Sequence, residues 1–242
     1  MKVYSGSDIG LKRNSNQDYC KTGTFPDGTV FAVVCDGMGG ANGGCTASRV
    51  AVETIVGSIN NGYDSSLTPE ELKSLIECAV QKANTAVYDM ASNNESLYGM
   101  GTTVVCAVIK DKRLHIVHAG DSRAYLYRND DIQQLTTDHS MVQEMVSAGQ
   151  LTPEQARKHP QRNYITRALG IEPELRTDYT ITVFDENSML IICTDGLSNY
   201  VSKESLLYFI RNSSGEELTE KLIESAKELG GSDNITVALV VG

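Results

Sequence analysis

The sequence predicts an α+β fold in which helices cover the faces of antiparallel sheet. Two observations carry this expectation. Short β-rich runs follow one another with only tight turns between them, as at Lys110-Asp111-Lys112 and Gly120-Asp121-Ser122, which favours hairpins over βαβ units. Between other runs lie long amphipathic segments with start and stop signals of their own. Segregated hairpins and helices are the mark of α+β packing.

Each element has its own justification. Strands are expected over Thr29–Cys35, Thr102–Ile109, Arg113–His118, Ala124–Arg128, Thr177–Val183, Ser188–Cys193 and Asn234–Val241, all short and rich in β-branched residues. After the first strand and a Gly-rich loop, Ala47, Val50, Ala51, Thr54, Ile55 and Ile59 repeat at helical spacing. Thr68-Pro69-Glu70-Glu71 reads as a capping box with Pro at N1, and Leu72, Leu75, Ile76, Ala79, Val80, Ala83 and Val87 then share one face. Met141, Val142, Met145 and Val146 suggest a helix ended by Gly149, and Thr152-Pro153-Glu154 starts another. Ser214 and Glu217 predict a further capping box before Leu218, Leu222, Ala226 and Leu229, with Gly230-Gly231 as the stop.

Composition narrows the class. The chain has 242 residues and 40% hydrophobic content, enough for a substantial core. Its 21 Lys+Arg against 31 Asp+Glu give a net charge of −10, which argues against nucleic acid or an anionic membrane as a partner. The first residues lack the apolar core of a secretory signal, and no apolar run approaches the ~20 residues of a membrane span. Six cysteines without zinc-ligand or redox spacing fit a reduced, cytoplasmic protein. No Gly-Lys dipeptide makes a phosphate loop, and His115, His118, His139 and His159 lack zinc spacing.

The informative acids stand where apolar runs stop. Phe31–Cys35 runs into Asp36-Gly37-Met38-Gly39-Gly40, and Leu190–Cys193 runs into Thr194-Asp195-Gly196. Asp233 precedes Asn234–Val241, Asp121 lies between two strands, and Asp18 closes Arg13–Asp18. Singly, each reads equally well as a turn residue. If their strand ends share one edge, the carboxylates would repel one another unless a divalent cation joined them, and all-oxygen ligands favour Mg²⁺ or Mn²⁺.

Taken in order, these motifs resemble the metal-dependent Ser/Thr protein phosphatases of the PP2C (PPM) family in their compact bacterial form. The matching segments are Ser7–Gly10 with Arg13 and Asn16–Asp18, Asp36–Gly40, Gly101–Thr103, His118–Tyr125, Leu135–Ser140, Ile165–Gly170, Cys193–Leu197 and Asp233–Val237. The resemblance implies a four-layer α-β-β-α sandwich, two mainly antiparallel sheets between helices, as one catalytic domain over residues 1–242 with a mobile flap at about 138–162. It implies two, or with a weaker site three, Mn²⁺ or Mg²⁺ ions. Asp36 would bridge two metals and the Gly37 carbonyl would add to one. Asp195 and Asp233 would complete the other, Asp18 would act through water, and Asp121 with Asp195 would hold the third. Arg13 is similar to the family's phosphate-binding arginine, so Arg13 and Asp36 are the catalytic candidates.

The implied reaction is attack of a dimetal-held water on phosphoserine or phosphothreonine in proteins. The enzyme is expected to be monomeric and to oppose a Ser/Thr kinase. A non-catalytic binding module is the alternative, which the retention of Arg13 and all five aspartates argues against. Departures from the family pattern are Gln17 for Glu, Ala41 for His, Cys45 for Glu, and Met38 where some members place a histidine. Gln17 is expected to hold a metal-bound water and to weaken metal affinity.

Overall fold

The computed structural model describes residues 1–242, apart from the side chains of 41 and 42. In chain order the strands are β1 (Lys2–Asp8), β2 (Asp18–Thr24), β3 (Val30–Met38), β4 (Gly101–Thr102), β5 (Val104–Lys110), β6 (Arg113–Ala119), β7 (Arg123–Arg128), β8 (Asp131–Gln134), β9 (Asp178–Val183), β10 (Met189–Cys193) and β11 (Ile235–Val241). The helices are α1 (Gly40–Gly62), α2 (Pro69–Asn93), α3 (Met141–Ser147), α4 (Pro153–Arg157), α5 (Asp195–Ser198), α6 (Lys203–Asn212) and α7 (Gly215–Glu228).

The strands form two sheets. One runs β1-β11-β10-β7-β8, and the other runs β2-β3-β5-β6-β9 with β4 paired to β3. Every strand pair is antiparallel. Three cores separate four layers: α1 and α2 on the second sheet, the sheets on each other, and the first sheet on α6 and α7.

Strand periodicity explains the apolar runs. Along β3, Phe31, Val33 and Cys35 face α1 and α2, whereas Val30, Ala32 and Val34 face the other sheet. In β10, Leu190 and Ile192 enter the inter-sheet core while Met189, Ile191 and Cys193 meet the outer helices. Alternation is invisible in such sequences because both faces are covered, and each buried aliphatic side chain is worth roughly 1.5–3 kcal/mol. Cys35, Cys106 and Cys193 are buried, and all six cysteines are free thiols. Burial pushes the Cys106 and Cys193 thiols up to about 12, so they act as small hydrophobes.

The α2 capping box forms as expected, with Thr68 accepting from the Glu71 N–H and the Glu71 carboxylate accepting from the Thr68 N–H. The expected Ser214 box does not form. Gly215, the first residue of α7, has a φ of 59°, and that left-handed step turns the Ser214 hydroxyl away from the Glu217 N–H. The Lys110–Lys112 turn is a true hairpin, with Asp111 and Lys112 both at positive φ. Gly120–Ser122 is not: β6 belongs to one sheet and β7 to the other, so this turn carries the chain between layers. Among the described residues no helix is long and apolar enough to cross a membrane.

Candidate metal centre at the sheet edge

Strand order brings the five aspartates to one edge of the sandwich. Asp18 and Asp36 are register partners across β2 and β3. Asp195 opens α5 immediately after β10, and Asp233 lies just before β11, the neighbour of β10. Asp121 sits on the inter-sheet crossing. Arg13, Gln17, Asp36, Gly37, Asp121, Asp195 and Asp233 line one open cleft of about 570 Å³. Asp18 is buried beneath it.

Two glycines allow this closeness. A Cβ on Gly37 would stand 2.1 Å from the Gly44 carbonyl oxygen and 2.6 Å from that of Gln17. A Cβ on Gly196 would stand 1.9 Å from the Asn234 carbonyl oxygen, so only glycine lets α5 bring Asp195 beside the start of β11.

Hydrogen bonds fix the backbone around the acids. Thr194 Oγ1 donates to Asp18 Oδ2 at 2.9 Å and accepts from the Thr236 N–H at 3.0 Å, stitching one sheet to the other. Thr103 Oγ1 accepts from the Asp36 N–H and shares a 2.7 Å bond with Ser122 Oγ, tying the Asp36 turn to the Asp121 turn. The Asn234 side chain donates to the carbonyls of Ile9 and Ser15 and accepts from the Gln17 N–H. It thereby clamps the loop that carries Arg13. Sequence reasoning gave Thr103, Thr194 and Asn234 no role, although each lies inside or beside a quoted motif. Their signal was a buried polar residue beside an acid.

The electrostatics mark Asp36 as the hub. Its carboxyl is raised well above the usual range, first by burial and then by Asp18, Asp195, Asp121 and Asp233. Burial also pushes Asp18 to about 7, Asp121 to about 8 and Asp195 to about 6, with neighbouring carboxylates adding to each. Among the described residues no hydrogen-bond donor reaches the buried Asp18 Oδ1 or Asp195 Oδ1. Such orphaned oxygens cost roughly 1–3 kcal/mol each. A hard divalent cation answers both the repulsion and the missing donors, so the donor set fits Mg²⁺ or Mn²⁺.

Arg13 reaches into the same cleft. Its Nη2 lies 2.6 Å from Asp233 Oδ2, with half of the side chain exposed. The Asp233 hydrogen bond raises the guanidinium pKa further. Gln17 lines the cleft, and its Nε2 donates to the Gly40 carbonyl at 2.7 Å, so the amide also braces the Gly-rich turn. The Ala41 side chain lies outside the described residues.

His118, His139 and Asp178 form a second group with ligand-like spacing. The two rings stack at 4.7 Å and 7°, so their in-plane lone pairs run parallel rather than converging. His139 Nδ1 accepts from the Gly120 N–H, and its Nε2 faces both Asp178 and the Arg167 guanidinium. That arrangement repels a cation and instead braces the Gly120–Asp121 turn.

A model of the protein phosphatase 2C family matches residues 11–229. The serine/threonine phosphatase Stp of Listeria innocua is 35% identical over 97% of this chain and 93% of its own. The protein phosphatase PhpP of Streptococcus pneumoniae is 35% identical over 99% and 97%. Among solved structures, the serine/threonine phosphatase of S. agalactiae aligns with a TM-score of 0.92 at 30% identity, covering 100% of this chain and 99% of its own. The catalytic domain of PstP, solved in complex with two manganese ions, aligns at 0.87 with 32% identity, covering 100% and 98%. The chain belongs to the protein phosphatase 2C family and is a protein serine/threonine phosphatase, a hydrolase of phosphorylated proteins.

Proposed function

We propose that this phosphatase binds its divalent cations at the edge cleft, with Asp36 shared between two of them and the Gly37 carbonyl adding to one. Asp195 and Asp233 would complete the second position, and Asp121 with Asp195 would offer a weaker third. Asp18, whose Oδ2 is taken by Thr194, would act from beneath. The convergence of four carboxylates on Asp36, with two buried oxygens left without donors among the described residues, carries this reading. Mn²⁺ or Mg²⁺ bound there would lower the pKa of water to near neutrality and stabilise charge on the displaced phosphate.

The chain's own residues supply position and charge. Arg13 presents a planar fork to the cleft and would grip two phosphate oxygens of phosphoserine or phosphothreonine, a geometry lysine lacks. Its hold on the phosphate would orient the ester for in-line displacement. Asn234 keeps that loop in place, and the glycines at 37 and 196 keep the acids close. The segment 138–162, built on α3 and α4, would serve as the flap of a single catalytic domain.

In the cell we place this chain in the cytoplasm as a monomer opposing a Ser/Thr kinase. Its acidic surface and free buried thiols support that placement. Hydrolysis of a phosphothreonine peptide with Mn²⁺, Mg²⁺ or EDTA tests the reading. Turnover with metal and none with EDTA is expected. Equal turnover in EDTA would remove the metals from the mechanism.

A further inference from the structure

Asp121 stands on a turn with little slack. Gly120 before it has a φ of 107°, and a Cβ there would stand 2.6 Å from Thr103 Cγ2. Thr103, already bonded to the Asp36 N–H and to Ser122, is therefore one wall of the turn. His139 is the other. Its backbone N–H donates to the Gly120 carbonyl at 2.9 Å, and its Nδ1 accepts from the Gly120 N–H at 3.1 Å. One residue thus holds both backbone polar groups of Gly120.

The second bond dictates the state of the ring. A backbone amide can only donate, so Nδ1 is bare and the imidazole proton sits on Nε2. There it meets Asp178 Oδ2 at 3.2 Å. Arg167 Nη1 lies 3.0 Å from Nε2 and donates to Asp178 Oδ1 at 2.8 Å, so both donors converge on one carboxylate. On its face His139 stacks on His118, whose Nε2 donates to the Thr137 carbonyl at 3.0 Å. Edge and face are both held, and burial lowers the His139 pKa, which favours the neutral ring that the Gly120 bond needs. His139 stands outside the cleft lining, so it acts through the turn rather than on a ligand.

We propose that His139 is a positioning residue for the cation held by Asp121: through the Gly120 N–H, its Nδ1 aims the Asp121 carboxylate and sets how tightly the weaker ion binds. This rests on the reading of Asp121 with Asp195 as ligands of that ion. The charges of Asp195 and Asp138 repel the Asp121 carboxylate, so a turn free to shift would carry it away from the cation position. Outer partners that orient a ligand are worth roughly 10–100-fold in metal affinity.

Mn²⁺ titration of the full chain, followed by the EPR signal of the free ion, separates strong from weak binding steps without any turnover. Asp121→Asn should remove the weakest step. His139→Leu should weaken that step roughly tenfold or more and leave the tighter steps near their parental values. His139→Asn, whose Oδ1 falls where Nδ1 stood, should nearly restore it. His139→Gln, whose amide reaches the place of Nε2, should not. Exchange of the Gly120 amide, read by NMR, should be slow in the parent and in His139→Asn and fast in the Leu and Gln variants. Equal weakening of every step in His139→Leu, or equal binding by the Asn and Gln variants, would overturn the inference. Were His139→Leu unable to fold, the Asn and Gln pair would still decide. A weakest step that survives Asp121→Asn would remove the ligand reading and this inference with it. A step lost in Asp121→Asn yet unchanged in His139→Leu would remove the inference alone.

Discussion

Asp18 and Asp36 sit directly opposite each other in the β2–β3 ladder, two like charges in a position where antiparallel strands normally avoid them. The strain is one a cation relieves, and it makes the metal-free protein the place to look for it. Asp36→Asn should lower kcat with Mn²⁺ by about 10²-fold or more, since the shared ligand is lost. In EDTA the same variant should melt at a higher temperature than the parent, because a buried repulsion has gone. Near-parental turnover would sink the role given to Asp36.

The pH dependence of the chelated protein follows from the same acids. Folded Asp18 titrates at about 7 and Asp121 at about 8, whereas an unfolded aspartate titrates at about 3.9. The folded state therefore binds the extra protons. The stability these groups contribute is complete below about pH 4 and is lost as pH rises through 7 to 8. Melting temperature in EDTA should fall across that window, and saturating Mn²⁺ should abolish the fall. A melting temperature that climbs from pH 5 to 8 in EDTA would contradict the crowding of these carboxylates.

Gly196→Ala tests the close approach of α5 to β11. Its Cβ would meet backbone, which cannot swing aside as a side chain can. Overpacking of this kind costs roughly 1–3 kcal/mol. Denaturant unfolding should show that loss, and half-maximal activity should need more Mn²⁺ as Asp195 is pushed from Asp233. Unchanged metal dependence in a destabilised variant would detach Asp195 from the cation.

Asn234→Ala removes two donors and one acceptor from a residue that is 4% exposed. Leaving the Ile9 and Ser15 carbonyls and the Gln17 N–H unpaired should cost about 2–3 kcal/mol. Because the loop carries Arg13, KM for a phosphopeptide should rise as well. A stability loss with unaltered KM would limit Asn234 to scaffolding.

Much of the site was legible because an apolar run ending in Asp records a strand end in sequence. The runs before Asp36 and Asp195 are of this kind, and so is the one that follows Asp233. What linear pattern lacks is layer membership. The Gly120–Ser122 turn looks the same whether it closes a hairpin or crosses between sheets, because both need a tight polar turn between two apolar runs. Edge strands were harder still. Lys2–Asp8 and Asp18–Thr24 carry small polar residues on half-exposed backbone, so neither announced itself, and Asp18 could be placed only by analogy. Gln17 shows a third limit: its brace on the Gly-rich turn, through the Gly40 carbonyl, depends on a neighbour in space that residue type does not reveal.

The bond from Thr194 to Asp18 has a consequence for the order of folding. Neither sheet alone contains the site, and β1 finds its partner only in β11, with Lys2 opposite Val241. Pairings of such separation are late and slow to form. The cation-binding edge should therefore be complete only once these distant segments have come together. Partly folded chains should carry native-like hairpins and helices yet remain unable to load metal, and catalytic competence should appear in one step as the two sheets close.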